Sequence, residues 1–316
     1  MNRKEYEKRI LELREKLYQW YVTYEKYAKY LLRFFLAFVV LLLVSRAFPY
    51  HESLASVWVT LVLACFGACL PEGLFVIMVT MVTSLQIYYL YPLLAAAVLL
   101  GILFVYLMLL RYSPKTILAA VLIPVAIQLK LWVLPVAVIG IFFSPMAVLS
   151  VGGGSLVYYI LYAVKQCEPM FRDEAAVDFM TVVQKYADHL VKNEEMYVVL
   201  FALCAMALGT NLIRTRKIAY AFEISILFAT VGNLILLLVG KLMFACGFST
   251  IQVVVGSLLS GILAYGVHFL HMVLDYGSVE EVQFEDEEYY YYVRAVPKLR
   301  MTMGNKKIKR INKSKK

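Results

Sequence analysis

The run Leu93 to Leu110, "LLAAAVLLGILFVYLMLL", has no polar face. Wound as an α-helix it presents hydrocarbon in every direction, and such a helix is stable only inside a large core or a bilayer. At ~1.5 Å per residue the run nearly crosses a hydrocarbon layer of ~30 Å. A soluble helical protein would offset it with polar faces elsewhere. With 62% hydrophobic and 17% charged residues, this chain does not have them. The fold class expected is an all-α membrane protein.

Comparable apolar segments recur at 31–49, 54–70, 74–91, 93–110, 116–131, 132–147, 148–164, 196–213, 218–240 and 250–274. They predict a polytopic helical bundle of roughly 8–10 transmembrane segments. The stretch 116–164 is different: its segments are short, and Pro124, Pro135, Pro145 and Gly152 to Gly154 interrupt it. Broken or re-entrant helices of this kind line polar sites or lie inside a bundle. Three short passes and one pass with re-entrant segments both keep Lys115 and Lys165 on opposite sides.

The formal charge of +9 does not point to nucleic acid, because of where the bases lie. Eight of the 31 Lys and Arg fall in residues 1–30 and ten from Arg294 onward. Such ends are held against anionic lipid, and the positive-inside rule puts them, with "RYSPK" and "RTRK", in the cytoplasm. The expected location is the cell membrane, multi-pass, with both termini cytoplasmic. Residues 1–30 form an amphipathic segment before the first apolar run, and no cleavable signal is expected there. Tyr6, Ile10, Leu13, Leu17, Trp20, Tyr24 and Tyr27 recur at spacings of 4, 3, 4, 3, 4 and 3, a heptad pattern for a coiled coil or an interfacial helix. Residues 165–195 form an acidic insert. Phe171, Ala175, Phe179, Val182, Val183, Tyr186 and Leu190 lie near helical spacing, so an amphipathic extracytoplasmic helix capping the bundle is expected. Three transmembrane helices follow over 196–275, and a cytoplasmic tail over 276–316.

Polar groups within apolar runs are the first places to look for function. Lys130, close to Gln128, would bind an anionic group as a substrate-facing residue or pair with a carboxylate if it faces the bundle, or snorkel to an interface if the chain turns there. Glu72 in "LPEGL" marks a hairpin turn. Glu223 is expected to pair with Arg216 or Lys217, and Asn233 to hydrogen-bond a neighbouring helix. His268, His271 and Asp275 share a helical face, but two histidines make an incomplete metal site, so no metal is expected. Cys65, Cys69, Cys167, Cys204 and Cys246 are scattered and read as packing residues rather than a disulfide framework. In "GSLLSGILAYG", Gly256, Ser260 and Ala264 form one small-residue stripe, and Ser257 and Gly261 another, which predicts close helix pairing within the chain or in a homo-oligomer. No glycine-rich phosphate loop, His-Glu-x-x-His or Gly-x-Ser-x-Gly is present. The chain is not expected to be an enzyme, with no catalytic residues and no cofactor.

The tail concentrates chemistry of another kind. Glu280, Glu281, Glu285, Asp286, Glu287 and Glu288 precede Tyr289, Tyr290, Tyr291 and Tyr292, and a lysine-rich end follows. Val282 and Phe284 alternate with polar residues, and the tyrosines with Val293 and Val296 favour extended structure. Residues 285–292 are therefore candidates for binding a protein partner at the cytoplasmic face by strand addition. Together with "NLIRTRKIAYAF" and "GNLILLLVGKL", the tail "YYYYVRAVPK" resembles an arrangement in uncharacterised bacterial multi-pass membrane proteins. That resemblance implies architecture and no activity.

Two functions are compatible with these features. One is a non-enzymatic membrane subunit or scaffold that recruits a partner through its cytoplasmic termini. The other is a small-solute transporter or permease subunit with its site in 116–164. An enclosed polar cavity near the midplane, lined by Lys130 and the prolines, favours transport, and a dry, densely packed block favours scaffolding.

Overall fold

The computed structural model describes residues 16, 20, 23–172, 179–216, 218, 220–244, 246–271, 280–285 and 290–295. Tyr6 to Leu17 of the heptad seam, Ala175, Lys217, Asp275, Asp286 to Tyr289 and the lysine-rich end lie outside these residues. All ten apolar segments are helical. Among the described residues six helices are long and apolar enough to cross a membrane, and four apolar ones are shorter. The chain is a multi-pass helical membrane protein.

The described chain falls into two compact units, 30–269 and the pair of segments 1–29 and 270–316. In the larger unit, α1 (Glu25–Ala47, which begins before it) is followed by a single turn α2 (Glu52–Ala55), then α3 (Val57–Cys69) and α4 (Glu72–Tyr88). Pro71 stands at the N-cap of α4, and Glu72 occupies its first turn, where a carboxylate suits the helix dipole. Glu72 also lies 3.5 Å from Arg33 of α1. The long α5 (Pro92–Tyr112) ends in a 3-10 turn, Pro114–Thr116. Then come α6 (Ile117–Gln128), α7 (Val133–Phe142) and α8 (Val148–Cys167). A turn α9 (Pro169–Arg172) and the amphipathic α10 (Phe179–Val191) lead to α11 (Glu194–Arg214), α12 (Ala221–Phe244) and α13 (Thr250–His271). The acidic insert therefore contains one long helix, α10, which lies against α8 and α5. Val182 is buried there, and Tyr186 donates to the Ile160 carbonyl at 3.3 Å. Burial pushes the Tyr186 phenol up.

The block 116–164 is built differently from its sequence reading. The three glycines do not interrupt α8, which runs through them unbroken. Consecutive helical positions point about 100° apart, so each glycine meets a different neighbour. A Cβ on Gly152 would lie 3.3 Å from Cys204 of α11, one on Gly153 2.8 Å from Leu109 of α5, and one on Gly154 2.6 Å from the Ala120 carbonyl of α6. They are contact points, and α8 is the hub of the bundle. Pro124 sits inside α6 without ending it, while Pro135 falls in the first turn of α7 and Pro145 opens a 3-10 turn. At those last two positions a missing N–H costs little.

The α6–α7 hairpin turns at Leu129 to Trp132. Lys130 N–H bonds the Ile127 carbonyl at 3.0 Å and Leu131 N–H the Ala126 carbonyl at 2.8 Å, the paired bonds of a Schellman motif. Lys130 stands at the left-handed position, with φ 62°, which glycine usually takes. The small-residue stripe of α13 receives this tip: a Cβ on Gly256 would fall 2.1 Å from the Lys130 carbonyl, and Ser260 Oγ accepts from Val133 N–H at 3.2 Å. The second stripe meets α12, through Gly261 against Thr230. At the other end of α7, Asn211 Nδ2 donates to the Gly140 and Phe143 carbonyls at 3.1 and 2.9 Å. Arg214 reaches the Ile141 and Phe143 carbonyls. Together they satisfy carbonyls that a helix end leaves unpaired. Arg214 of "RTRK" thus caps a neighbouring helix.

Two buried apolar clusters result, and α6 and α8 contribute to both. Ile123, Ile127, Val151 and Tyr159 join the cluster shared with α7, α11, α12 and α13. Ile117, Val121, Val157 and Val164 join the one shared with α1, α3, α4 and α5.

In the smaller unit, Trp20 and Tyr24 have ring centroids 5.8 Å apart, and both are exposed. Lys29 holds the Glu25 carboxyl below the usual carboxylate range through a 2.6 Å bond. Near the other terminus β1 (Glu280–Glu285) and β2 (Tyr290–Ala295) form an antiparallel hairpin. The register sets Glu281 opposite Arg294, Val282 opposite Val293, Phe284 opposite Tyr291 and Glu285 opposite Tyr290. Because faces alternate along a strand, positions 282, 284, 291 and 293 share one face and 281, 283, 285, 290, 292 and 294 the other.

Candidate functional site

Lys130 stands at the tip of the α6–α7 turn, the placement expected of a snorkelling lysine, and there it and Gln128 line a half-open groove of about 270 Å³ between α1, α6 and α8. Leu43, Val44, Ala47 and Phe48 form one wall, Pro124 and Val125 a second, and Tyr158, Leu161, Tyr162 and Lys165 the third. Helices α6 and α8 approach each other closely, as Gly154 permits. Helix α1 makes no comparably close backbone approach to either and lies against them through its side chains. That looser fit leaves the groove.

Among the described residues no carboxylate lines it. Lys130 Nζ lies 5.3 Å from the centroid of Trp132, and Lys165 Nζ 5.5 Å from that of Phe48. Among the described residues neither lysine is in an ion pair. Cation–π contact is worth about 0.5–1 kcal/mol at exposed sites and more when desolvated; it orients an ammonium without neutralising it. Glu168, one turn beyond Lys165, adds an attractive charge to that side and accepts from the Tyr50 hydroxyl at 3.0 Å. Tyr158 and Tyr162 stack at 6.2 Å and carry two further hydroxyls on the same wall. Tyr159 turns the other way and donates to Glu195 of α11 at 3.3 Å. The groove therefore offers two ammoniums, an amide and two phenols above apolar walls, a donor-rich set suited to an anion.

Sequence reading found Lys130 and Gln128 here and missed Lys165, Tyr158, Tyr162 and Phe48. A signal was present: Tyr158, Tyr162 and Lys165 are spaced i, i+4 and i+7, one face of a helix. Of the three prolines in this block, Pro124 lines the groove, and Pro135 is buried among the packed residues of α7.

The other candidates fall elsewhere. Glu223 lies 3.5 Å from His268 of α13, whose ring stacks on Phe222, and the expected partner Lys217 lies outside the described residues. Among the described residues the fully buried Asn233 finds no hydrogen-bond partner for its Nδ2 or its Oδ1, in contrast to the interhelical bond expected. Trp132 Nε1 and Ser257 Oγ are likewise buried without partners. Cys65 and Cys69 are exposed on α3 instead of packed. Among the described residues no three His, Cys, Asp or Glu groups gather as a metal site would need. Of the tail candidates, Glu285 ends β1 and Tyr290, Tyr291 and Tyr292 begin β2, while Asp286, Glu287, Glu288 and Tyr289 lie outside the described residues.

The fold and groove define a class, a multi-pass helical membrane protein with a cationic groove. No family model matches the chain, and comparison with curated proteins and with solved structures gave no match.

Proposed function

We propose that this chain works as a permease-type membrane protein that takes an anionic solute into the α1–α6–α8 groove, with Lys130 and Gln128 as substrate-binding residues. The observation that carries this reading is that Lys130 and Lys165 both line one cavity, to which no carboxylate among the described residues contributes. A groove that gathers two partly buried cations over apolar walls favours an anionic occupant. In the orientation proposed from charge, with both termini in the cytoplasm of a cell membrane, the groove opens in the outer half of the bilayer. The expected result is that native mass spectrometry of the protein purified from membranes finds a bound anionic species. A Lys130→Gln/Lys165→Gln variant should lose it. An identical adduct pattern in both proteins sinks the reading.

The β1–β2 hairpin favours a second reading, a non-enzymatic subunit that recruits a protein partner through its termini. Among the described residues each strand of this two-stranded sheet keeps one edge unpaired, and an open edge can accept a further strand. Affinity capture with the full-length chain against one ending at Gly277 tests it. Partners lost on truncation support a docking tail, and an unchanged set removes it.

A further inference from the structure

We infer that the solute of this groove is an anionic lipid with a phosphate headgroup, which enters sideways from the bilayer. This inference rests on the reading of the groove as a binding site and concerns what fills it. The first argument is the distribution of polarity. The donors, Lys130, Lys165, Gln128, Tyr158 and Tyr162, share the groove with walls of Leu43, Val44, Phe48, Val125 and Leu161. A small hydrated anion gains nothing from such walls, whereas an amphiphile uses both parts: its headgroup meets the donors while its chain covers hydrocarbon.

Size is the second argument. At about 270 Å³ the cavity lies just below the 300–1,000 Å³ usual for pockets that enclose a whole small molecule. It suits a headgroup and the first part of a chain, with the rest of the lipid remaining in the bilayer. The third argument is the wall that forms the opening. Helix α1 stands beside α6 and α8 without close backbone contact. Its Leu31, Leu32 and Phe35 are exposed to the surroundings, which for a membrane-spanning helix means lipid. A chain can therefore lie along α1 without leaving hydrocarbon. The fourth is Lys130 itself. It holds a left-handed conformation where glycine would fit without strain, and strain at a cationic position beside a cavity points to a site.

The test uses full-length protein in dodecyl maltoside, titrated with phosphatidic acid or phosphatidylcholine and read by native mass spectrometry. Wild type should bind phosphatidic acid roughly tenfold or more tightly than phosphatidylcholine. Lys130→Gly, which suits the turn, and Lys165→Gln should each weaken that preference several-fold. Leu161→Trp, which fills the groove and keeps both charges, should abolish it. Lys192→Gln, on a surface pair with Asp188, should leave it unchanged. Equal binding of the two lipids, or a preference that survives in Lys130→Gly, Lys165→Gln and Leu161→Trp alike, overturns the lipid inference. Competition by millimolar inorganic phosphate against phosphatidic acid overturns it too but leaves the anion groove standing. Absence of any species lost in the double glutamine variant removes the groove itself.

Discussion

At Lys130 two local effects oppose each other. The left-handed backbone costs a residue with a Cβ about 1 kcal/mol relative to glycine, and the contact with Trp132 returns a comparable amount. Comparing two substitutions separates the terms. Lys130→Gly and Lys130→Ala both lose the ammonium, but only alanine keeps the strain. Glycine should be the more stable of the two by about 1 kcal/mol, read from thermal or denaturant unfolding in detergent. Equal stabilities would mean that the Schellman turn is absent. Lys130 and Gln128 were legible as candidates because a charge within an apolar run is conspicuous. Lys165 was not, because a lysine at the end of such a run reads equally well as an interfacial anchor. Only its contact with Phe48, far away in sequence, turns it toward the groove.

Among the elements, the α6–α7 hairpin and α13 depend on each other through a missing side chain. A Cβ at Gly256 would strike the backbone carbonyl of Lys130 at 2.1 Å, whereas one at Gly266 of the same helix meets nothing within 4 Å. Gly256→Ala should therefore destabilise by about 1–3 kcal/mol through overpacking. Gly266→Ala should be neutral or stabilising by up to about 1 kcal/mol. Unfolding midpoints of the two variants in one detergent decide the matter; similar losses would contradict the tip's placement. Asn211→Leu strips the Gly140 and Phe143 carbonyls of their amide donor. Arg214 still reaches the Phe143 carbonyl, so the expected cost is about 1–3 kcal/mol for the Gly140 acceptor left unpaired, with faster proteolysis after Phe142 as a second readout. The small-residue stripes of α13 were readable as surfaces for close packing. What they pack against was not, since a stripe serves a neighbouring helix or a second chain equally well. Gly152 to Gly154 show the same ambiguity from the other side. Three glycines in a row read as an interruption, yet packing on three sides keeps α8 helical.

For the molecule as a whole, the bilayer is the solvent, and exposed apolar side chains are its expected surface. Leu100, at mid-length of α5, is 68% exposed. Leu100→Lys should reduce insertion of this helix by an apparent ~2.5–3.5 kcal/mol, measured by glycosylation mapping of a reporter fused beyond it. Unchanged insertion would place that face against protein or water. Orientation is tested with single cysteines at two exposed lysines in a cysteine-free background. On the proposed topology a membrane-impermeant maleimide added to intact cells labels Lys192→Cys and spares Lys115→Cys. The reverse pattern inverts the protein, and labelling of both removes the single orientation.

Taken alone, the order of residues determined the solvent, the helical class and the ten apolar segments. Those properties follow from local hydropathy and from the rule that backbone polar groups in lipid must be satisfied within the segment. The tertiary structure decided which interruptions are real. Pro124 and the glycine run of α8 turned out to lie within helices, while Leu129 to Trp132, with no glycine or proline, makes the turn. It also decided that Lys130, Lys165 and the Tyr158–Tyr162 pair face one groove. Such a meeting depends on how far α1 stands from α6 and α8, a distance set by side-chain volumes across three helices.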